Sequence, residues 1–220
     1  MNPILSYPNG VTLLGGGTVT LATLEAALCH APTLVAADGA AEVALNLGHT
    51  PQAVIGDFDS LSDTTKAQFP AHTLHHIAEQ DSTDFEKCLS RVGSELILGV
   101  GFMGRRIDHE LSVYNTLVRY PEKRCLIIGE IDICLHVPRQ LHLELEIGTR
   151  VSLFPLKSVT GTSTGLRWPI DTIQFSPSGR IGTSNEASAK TVTLEFHGDG
   201  MLLILPRRCL PNVLQALGCN

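Results

Sequence analysis

The sequence predicts an α/β protein with a mostly parallel-sheet N-terminal domain followed by a C-terminal all-β sandwich domain. In the first half, short apolar segments alternate with segments whose apolar residues recur at i, i+3, i+4 and i+7, which is typical of strands joined by helical crossovers. After about Pro138 the apolar residues recur with a period of two instead. We therefore expect one domain over residues 1–137 and a second over residues 138–220.

The N-terminal elements follow from these apolar patterns. Residues 40, 43, 44 and 47 are apolar at helical spacing, with Gly48 as a stop signal. Thr83 and Glu86 have the spacing of a capping box, so a helix is expected to begin near Thr83. The predicted strands are residues 11–15, 34–37, 53–55, 96–98 and 125–128, and the predicted helices are residues 21–29, residues 40–47, one from about residue 83, and one after Asp108 that runs through Leu111, Tyr114, Leu117 and Val118.

The C-terminal elements are predicted as strands. Leu141, Leu143, Leu145 and Ile147 alternate with polar residues, a period of two. Residues 151–154, 191–196 and 201–205 are further apolar runs, separated by loops rich in Gly, Ser, Thr and Pro. Helix patterning returns only in the last few residues.

Composition excludes several classes of protein. The chain has 220 residues, of which 43% are hydrophobic and 17% charged, as in ordinary soluble globular proteins. A formal net charge of −6 argues against nucleic-acid binding. No apolar run reaches the roughly 18 residues that span a membrane, and the N-terminus lacks a signal-peptide pattern. The six cysteines form no CxxC pair, so we expect buried reduced thiols and a cytoplasmic location.

Four acidic motifs follow predicted strands: Asp38-Gly39, residues 56–60 (GDFDS), residues 81–85 (DSTDF) and residues 106–109 (RIDH). The carboxyl ends of parallel strands converge on one crevice, which is where α/β sheets bind ligands. Several carboxylates, accompanied by glycines and an arginine but by no cysteine, are typical of a site for Mg²⁺ and a polyphosphate.

Three of the four acidic motifs also have a purely structural explanation. Asp57 and Asp59 are two residues apart, so an extended backbone would point both carboxylates to one side, but loop aspartates also form Asx turns. Asp81 and Asp84 flank a helix start, where acids are favoured by capping and by the helix dipole, and Asp108 also precedes a helix. Four such strand ends in one sheet favour a binding site over four independent caps.

Three other patterns in the sequence suggest different kinds of site. Residues 99–104 match GxGxxG after a strand, but the strand is late in the sheet and charged residues intervene before the next helix, which disfavours a nicotinamide site. The spacing of His72, His75 and His76 does not suit zinc, so a polar strand or loop is expected. Trp168 is either a core or interface aromatic or a stacking partner for a heteroaromatic ring.

Taken together, the motifs resemble the thiamine pyrophosphokinase (thiamine diphosphokinase) family over nearly the whole chain. The resemblance implies an α/β nucleotide-binding domain, here the ATP-binding catalytic domain of residues 1–137, and a thiamine-binding β-sandwich of residues 138–220. The motifs that carry it are residues 37–39 (ADG), 55–60 (IGDFDS), 80–85 (QDSTDF), 104–109 (GRRIDH), 152–156 (SLFPL), 161–168 (GTSTGLRW) and 182–186 (GTSNE).

The resemblance implies transfer of the diphosphoryl group of ATP to the hydroxyl of thiamine, yielding thiamine diphosphate and AMP with Mg²⁺. It also implies a homodimer with thiamine at the subunit interface. Asp57, Asp59 and Asp84 would be the metal ligands, and Asp84, or Asp81 as second choice, would orient or deprotonate the thiamine hydroxyl. The catalytic set implied by the family pattern is Asp57, Asp59, Asp81, Asp84, Asp108 and Arg106, with Arg106 offsetting phosphate charge.

The remaining site residues are assigned through the same resemblance. Asp38 and Gly39, with the turn at residues 15–17, would contact the nucleotide, and Trp168 would stack on the pyrimidine ring of thiamine. The other residues expected at the substrates are Ser60, Gln80, Thr83, Arg105, His109, Ser184 and Asn185. Two positions depart from the family pattern, because Ala40 and Arg105 stand where the family has glycine, and Arg105 leaves the nucleotide preference open.

Two alternative functions stay open at this point. A diphosphokinase of another heteroaromatic alcohol, such as a pterin, would keep the acids but lack Trp168 and the Ser184-Asn185 pair. A non-catalytic regulator that binds thiamine or a nucleotide would lack one or more of the acids. All of these residues are present in the chain.

Overall fold

The computed structural model describes residues 3–219, which form two compact units. The first unit comprises residues 3–116 and 122–130, and the second comprises residues 117–121 and 131–219. Met1 and Asn2, on which the expectation of no signal peptide partly rests, lie outside the described residues.

The first unit is built on a parallel sheet. Six of its strands pair in parallel in the order β8-β7-β2-β3-β4-β5, and β1 pairs in parallel with β6. The strands are β1 (Leu5–Ser6), β2 (Val11–Leu14), β3 (Thr33–Ala37), β4 (Ala53–Gly56), β5 (Leu74–His76), β6 (Val92–Gly93), β7 (Ile97–Val100) and β8 (Cys125–Ile128). The helices that begin in this unit are α1 (Leu21–Leu28), α2 (Ala40–Asn46), α3 (Asp63–Lys66), α4 (Asp84–Arg91) and α5 (Ile107–Arg119).

The five predicted N-terminal strands are confirmed as β2, β3, β4, β7 and β8. Every residue of β2, β4, β7 and β8 is buried, as expected for parallel strands covered on both faces. Three short strands were not predicted. One of them, β5, contains two of the three histidines and lies at the edge of the sheet, where polar side chains are tolerated.

The helices begin close to their predicted positions, with one correction in α5. Thr83 is the N-cap of α4, and its hydroxyl oxygen accepts a hydrogen bond from the Glu86 amide at 3.5 Å. In α5, Leu111 was predicted on the apolar face but is 61% exposed, whereas Val113 and Leu117 are buried. Residues 113 and 117 are one helical turn apart, and residue 111 is about 200° away from residue 113 around the helix.

The second unit contains two antiparallel sheets, with strand orders β13-β11-β15-β9 and β10-β14-β12. Its strands are β9 (Asp132–His136), β10 (Gln140–Glu144), β11 (Arg150–Pro155), β12 (Gly161–Thr164), β13 (Gly182–Glu186), β14 (Thr191–Phe196) and β15 (Met201–Pro206), and its last helix is α6 (Leu210–Ala216). Strand β9 precedes the expected boundary at 137/138 but groups with this unit.

The predicted strand over residues 141–147 is shorter in the structure. Leu141 and Leu143 of β10 are buried as the alternation requires, but the strand ends at Glu144, and Ile147 is 64% exposed. A turn at residues 147–148 explains this end, because Gly148 adopts a positive φ of 89°. The alternation of apolar and polar residues in the sequence therefore continues to Ile147, three residues beyond the end of β10.

The cysteines are free thiols, and four of the six are buried. Within residues 3–219, none of the helices has the length and apolar character needed to span a bilayer.

Candidate active site

A cleft of about 670 Å³ opens where the strands of the parallel sheet end. It is formed by the loops after β2, β3, β4 and β7 together with the first turns of α4 and α5, which is the position where α/β sheets bind ligands. The predicted turn at residues 15–17 lines it, together with seven further predicted site residues: Gly39, Ser60, Thr83, Asp84, Arg105, Arg106 and His109.

Two glycine-rich loops form one wall of the cleft. The Gly17 amide donates a hydrogen bond to the carbonyl of Gly101 at 2.6 Å. A Cβ atom at Gly17 would lie 2.5 Å from that oxygen, and one at Gly15 would lie 2.6 Å from it. Gly15 and Gly17 therefore let the 15–17 turn approach the loop of residues 101–104, and both loops line the cleft.

Three carboxylates meet beside this cleft. Asp38, Asp57 and Asp59 each offer an oxygen within 4.8 Å of the others, and within residues 3–219 no other set of three His, Cys, Asp or Glu side chains is this close. The sequence suggests an extended backbone between Asp57 and Asp59. The structure differs, because Phe58 between them has a positive φ of 63°. The structure places Asp38 in this group and the predicted metal ligand Asp84 outside it.

Asp38 is the most buried member of the group, with 2% of its surface exposed. Its Oδ2 accepts a hydrogen bond from the Ser60 hydroxyl at 3.0 Å, whereas its buried Oδ1 has no hydrogen-bond donor among the described residues. Burial and, to a smaller extent, the neighbouring carboxylates raise the pKa of Asp38 to about 6 despite the Ser60 hydrogen bond.

The donor set fits a divalent ion of the Mg²⁺ type. Such ions bind carboxylate oxygens, and Mg²⁺ uses one or two protein carboxylates together with phosphate oxygens. A buried carboxylate oxygen without a hydrogen-bond donor is unusual in proteins and often marks a missing ion or water. Asp38 Oδ1 has this character, and it lies beside the carboxylates of Asp57 and Asp59.

Lys87, which the sequence analysis missed, supplies a positive charge to this region. Its side chain is 2% exposed, and its Nζ donates to Asp57 Oδ2 at 2.7 Å and lies 3.9 Å from Asp84 Oδ1. Burial is the largest single influence on Lys87 and lowers its pKa, but the hydrogen bond to Asp57 and the negative charges of Asp57, Asp84 and Glu79 together outweigh burial, so the pKa of Lys87 is raised. The same hydrogen bond holds the pKa of Asp57 well below its usual range.

Two predicted residues adjoin the pair of Lys87 and Asp57. The side-chain amide of Gln80 donates to Asp57 Oδ2 at 3.1 Å. Asp84, the first residue of α4, lines the cleft with 39% of its side chain exposed. Burial raises the pKa of Asp84, and the charge of Lys87 opposes that rise. Asp84 therefore holds a proton more readily than an ordinary aspartate.

The two arginines at the mouth of the cleft, Arg105 and Arg106, are exposed, and each donates hydrogen bonds within the protein. Arg106 forms a two-point ion pair with Asp108, with Nη2 to Oδ2 at 2.7 Å and Nε to Oδ1 at 3.2 Å. The hydrogen bond from Arg106 lowers the pKa of Asp108 to about 2. Arg105, whose φ is +64°, donates to the Gly16 carbonyl at 2.8 Å. It therefore bridges the two glycine-rich loops.

The predicted thiamine residues lie in the second unit. Trp168 is 53% exposed, and the guanidinium of Arg167 lies 4.8 Å from its ring centre. Asn185 is buried, and its side chain accepts from the Trp168 amide at 3.2 Å and donates to the Trp168 carbonyl at 2.7 Å. Ser184 has a φ of +62°, and its amide donates to the Ser152 hydroxyl at 3.0 Å. Asn185 thus holds the backbone of Trp168 through two hydrogen bonds, while the indole ring stays half exposed.

We predict that Lys87→Met lowers the free energy of unfolding by about 3 kcal/mol in EDTA, because it leaves the Asp57 carboxylate, which is only 12% exposed, without its positively charged partner. Urea denaturation measures the change. The matched control is Lys66→Met, since Lys66 pairs with the fully exposed Asp63 and its loss should cost less than about 1 kcal/mol. Equal effects of the two substitutions would contradict the structural role of Lys87.

We predict that Asp38→Asn changes stability in a pH-dependent way. The raised pKa of Asp38 means that the unfolded chain ionises near pH 4 and the folded chain near pH 6, so the wild-type protein loses stability as the pH rises through this window. Relative to the variant, the loss should reach up to about 3 kcal/mol by pH 7.

Urea denaturation in EDTA at pH 4 and pH 7 measures this difference. The control is Asp63→Asn, which alters a fully exposed carboxylate of the same unit. A stability difference between Asp38→Asn and wild type that is the same at both pH values would show that Asp38 is not held with a raised pKa.

Comparison with known proteins identifies this arrangement. Residues 24–128 match the catalytic domain of thiamin pyrophosphokinase, and residues 133–200 match its vitamin B1 binding domain. Thiamine pyrophosphokinase 1 of Oryza sativa subsp. japonica is 30% identical over 187 residues, which are 76% of this chain and 70% of the relative. Thiamin pyrophosphokinase 1 of Caenorhabditis elegans is 27% identical and covers 73% of this chain and 74% of its own length. The chain spans 64–70% of the length of the plant relatives.

Solved structures show the same fold. Thiamin pyrophosphokinase from Geobacillus thermodenitrificans superposes with a TM-score of 0.72 at 24% identity, covering 91% of this chain and 99% of its own. The Candida albicans enzyme gives a TM-score of 0.74 at 17% identity, covering 92% and 93%. Both domains are matched in order, and the three carboxylates and all of the cleft-lining residues except the turn at residues 15–17 lie in the part of the chain that matches the catalytic domain. The chain belongs to the thiamin pyrophosphokinase family.

Proposed function

We propose that this protein is a thiamine diphosphokinase, which transfers the diphosphoryl group of ATP to the hydroxyl of thiamine and releases AMP. The observation that carries the proposal is the group of Asp38, Asp57 and Asp59 beside the cleft, in a chain that matches both the catalytic and the vitamin B1 binding domain. A carboxylate site at this sheet edge is suited to a metal-bound polyphosphate.

Asp38, Asp57 and Asp59 would hold Mg²⁺, with Asp84 as a further ligand or a neighbour of the substrate. When bound, the ion would neutralise phosphate charge and orient the transferred group. Lys87 Nζ and the side-chain amide of Gln80 both donate hydrogen bonds to Asp57 Oδ2, and the backbone amide of Asp59 donates to Asp57 Oδ1 at 3.3 Å. These bonds fix the orientation of the Asp57 carboxylate before any ligand arrives.

The walls of the cleft suit ATP. Backbone of the two glycine-rich loops can approach phosphate oxygens closely, because no Cβ atoms intervene. Arg105 and Arg106 at the mouth add positive charge that anionic oxygens can share. Apolar side chains also line the cleft, among them Ala40, Val43 and Val113, as suits a purine base.

In the proposed reaction the thiamine hydroxyl oxygen forms a bond to the β-phosphorus of ATP. The bond from that phosphorus to the oxygen bridging the α-phosphate breaks, and AMP leaves with this oxygen. The hydroxyl proton passes to the Asp84 carboxylate, whose raised pKa makes it a better base than an ordinary aspartate. Asp81, which is exposed on the preceding loop, is the second choice for this role.

Thiamine is proposed as the acceptor in preference to a pterin alcohol. The match of residues 133–200 to a vitamin B1 binding domain and the exposed ring of Trp168 support this choice. A homodimer with thiamine at the subunit interface and a cytoplasmic location stay predictions, and analytical ultracentrifugation of the purified chain measures the first.

We predict that the purified protein converts ATP and thiamine to AMP and thiamine diphosphate in the presence of Mg²⁺. Chromatography of the reaction mixture measures both products. Asp57→Asn and Asp84→Asn should each lower kcat by at least about a hundredfold, because they remove a charge that faces the phosphates or the base that accepts the hydroxyl proton. Circular dichroism should show that both variants retain the fold.

A pterin alcohol in place of thiamine is the parallel substrate control. Turnover of the pterin but not of thiamine would favour the alternative diphosphokinase. Binding of thiamine without any AMP release would favour a non-catalytic regulator, and wild-type turnover in both aspartate variants would contradict the proposed mechanism.

We predict that Trp168→Ala raises the KM for thiamine by about tenfold and leaves the KM for ATP within about twofold, because stacking on an aromatic ring contributes about 1 kcal/mol or more. Trp168→Phe is the matched control and should retain most of the affinity for thiamine. If both KM values rose equally in the alanine variant, the tryptophan would have a structural role only.

A further inference from the structure

The loop between β5 and α4 is organised by one side chain, Glu79. Its Oε2 accepts hydrogen bonds from the amides of Asp81 at 2.9 Å and Ser82 at 3.1 Å. Its Oε1 accepts a hydrogen bond from the Ser82 hydroxyl. A single carboxylate therefore binds three donors of a segment that has no regular secondary structure.

Glu79 is itself held from the far end of α4. Arg91 Nη2 lies 3.5 Å from Glu79 Oε1, and the Arg91 side chain is only 12% exposed. Arg91 Nη1 also donates to the Lys87 carbonyl at 3.3 Å and to the Ser90 hydroxyl at 3.2 Å. The loop is thus tied to the same helix that presents Asp84 and Lys87.

The loop in turn carries residues of the proposed active site. Gln80 follows Glu79 directly, and its side chain reaches Asp57 Oδ2. Thr83 caps α4 and lines the cleft beside Asp84. Hydrogen bonds from backbone N–H groups to an ionised carboxylate are about twice as strong as neutral ones, so their loss would loosen the whole segment.

We propose that Glu79 is a positioning residue for diphosphoryl transfer, acting through the loop of residues 80–83. It does not itself line the cleft, and its three accepted hydrogen bonds set the place from which Gln80 meets Asp57 and from which Asp81 faces solvent. This inference rests on the proposed function for its kinetic consequence, whereas the structural tie itself can be measured without substrate.

The test compares Glu79→Ala and Glu79→Gln with Glu95→Gln, a change at an exposed glutamate of the same unit that precedes β7 at the opposite end of that strand from the cleft. Hydrogen exchange of the Asp81 and Ser82 amides is measured in the substrate-free protein. We expect exchange in Glu79→Ala to be at least about tenfold faster at both amides, with an intermediate effect in Glu79→Gln, because its one remaining oxygen still accepts.

Steady-state kinetics and thermal unfolding are then measured on the same variants. In Glu79→Ala, kcat should fall by at least about tenfold, while both KM values stay within about threefold and the Tm stays near that of wild type, because the loop lies outside the core. Glu79→Gln should recover part of kcat, and Glu95→Gln should match wild type in every measurement.

The proposal is overturned if kcat in Glu79→Ala stays within about twofold of wild type, or if Glu95→Gln loses as much activity. It is also overturned if the two amides exchange at the wild-type rate, or if kcat falls only together with the Tm, which would indicate general destabilisation. An inactive wild-type protein would contradict the proposed function instead, and the exchange rates would still decide whether Glu79 holds the loop.

Discussion

The buried ion pair between Lys87 and Asp57 is the interaction on which the rest of the candidate site depends. Three carboxylates within 4.8 Å of one another repel, and one of them, Asp38, is almost fully buried. Lys87 places a positive charge 2.7 Å from Asp57 without occupying the buried oxygen of Asp38. The folded protein can therefore hold a concentration of negative charge before a metal ion arrives, which is what a site for metal-bound phosphate requires.

The parallel sheet explains why these groups meet at all. Its strands end at one edge, and each loop that leaves this edge contributes one part of the site: glycine backbone after β2 and β7, Asp38 after β3, and the Asp57 to Ser60 segment after β4. Local backbone strain then sets the final positions, since Asp38 and Phe58 both have positive φ angles. Such strain is maintained only where the surrounding packing enforces it, and it is concentrated at functional sites.

Much of the first unit could be predicted from periodicity, because buried parallel strands are continuous apolar runs and its longer helices have apolar faces. The short strands β1, β5 and β6 escaped prediction, since two or three residues carry no period. In the site, Lys87 and Glu79 were missed for a common reason. A lysine within a helix and a glutamate in a loop are ordinarily exposed, and only the tertiary structure shows one buried at 2% exposure and the other bound to three donors.

The sequence by itself determined the mixed α/β class, most of the buried strands and the family, because these depend on local apolar period and on the order of short motifs. The tertiary structure decided which acids form a group. Asp38 and Asp57 are far apart in the chain, and their proximity arises from the parallel pairing of β3 with β4. It also decided that Asn185 holds the backbone of Trp168 and that Arg106 pairs with Asp108. Side-chain partners of this kind depend on three-dimensional packing, which motif spacing does not specify.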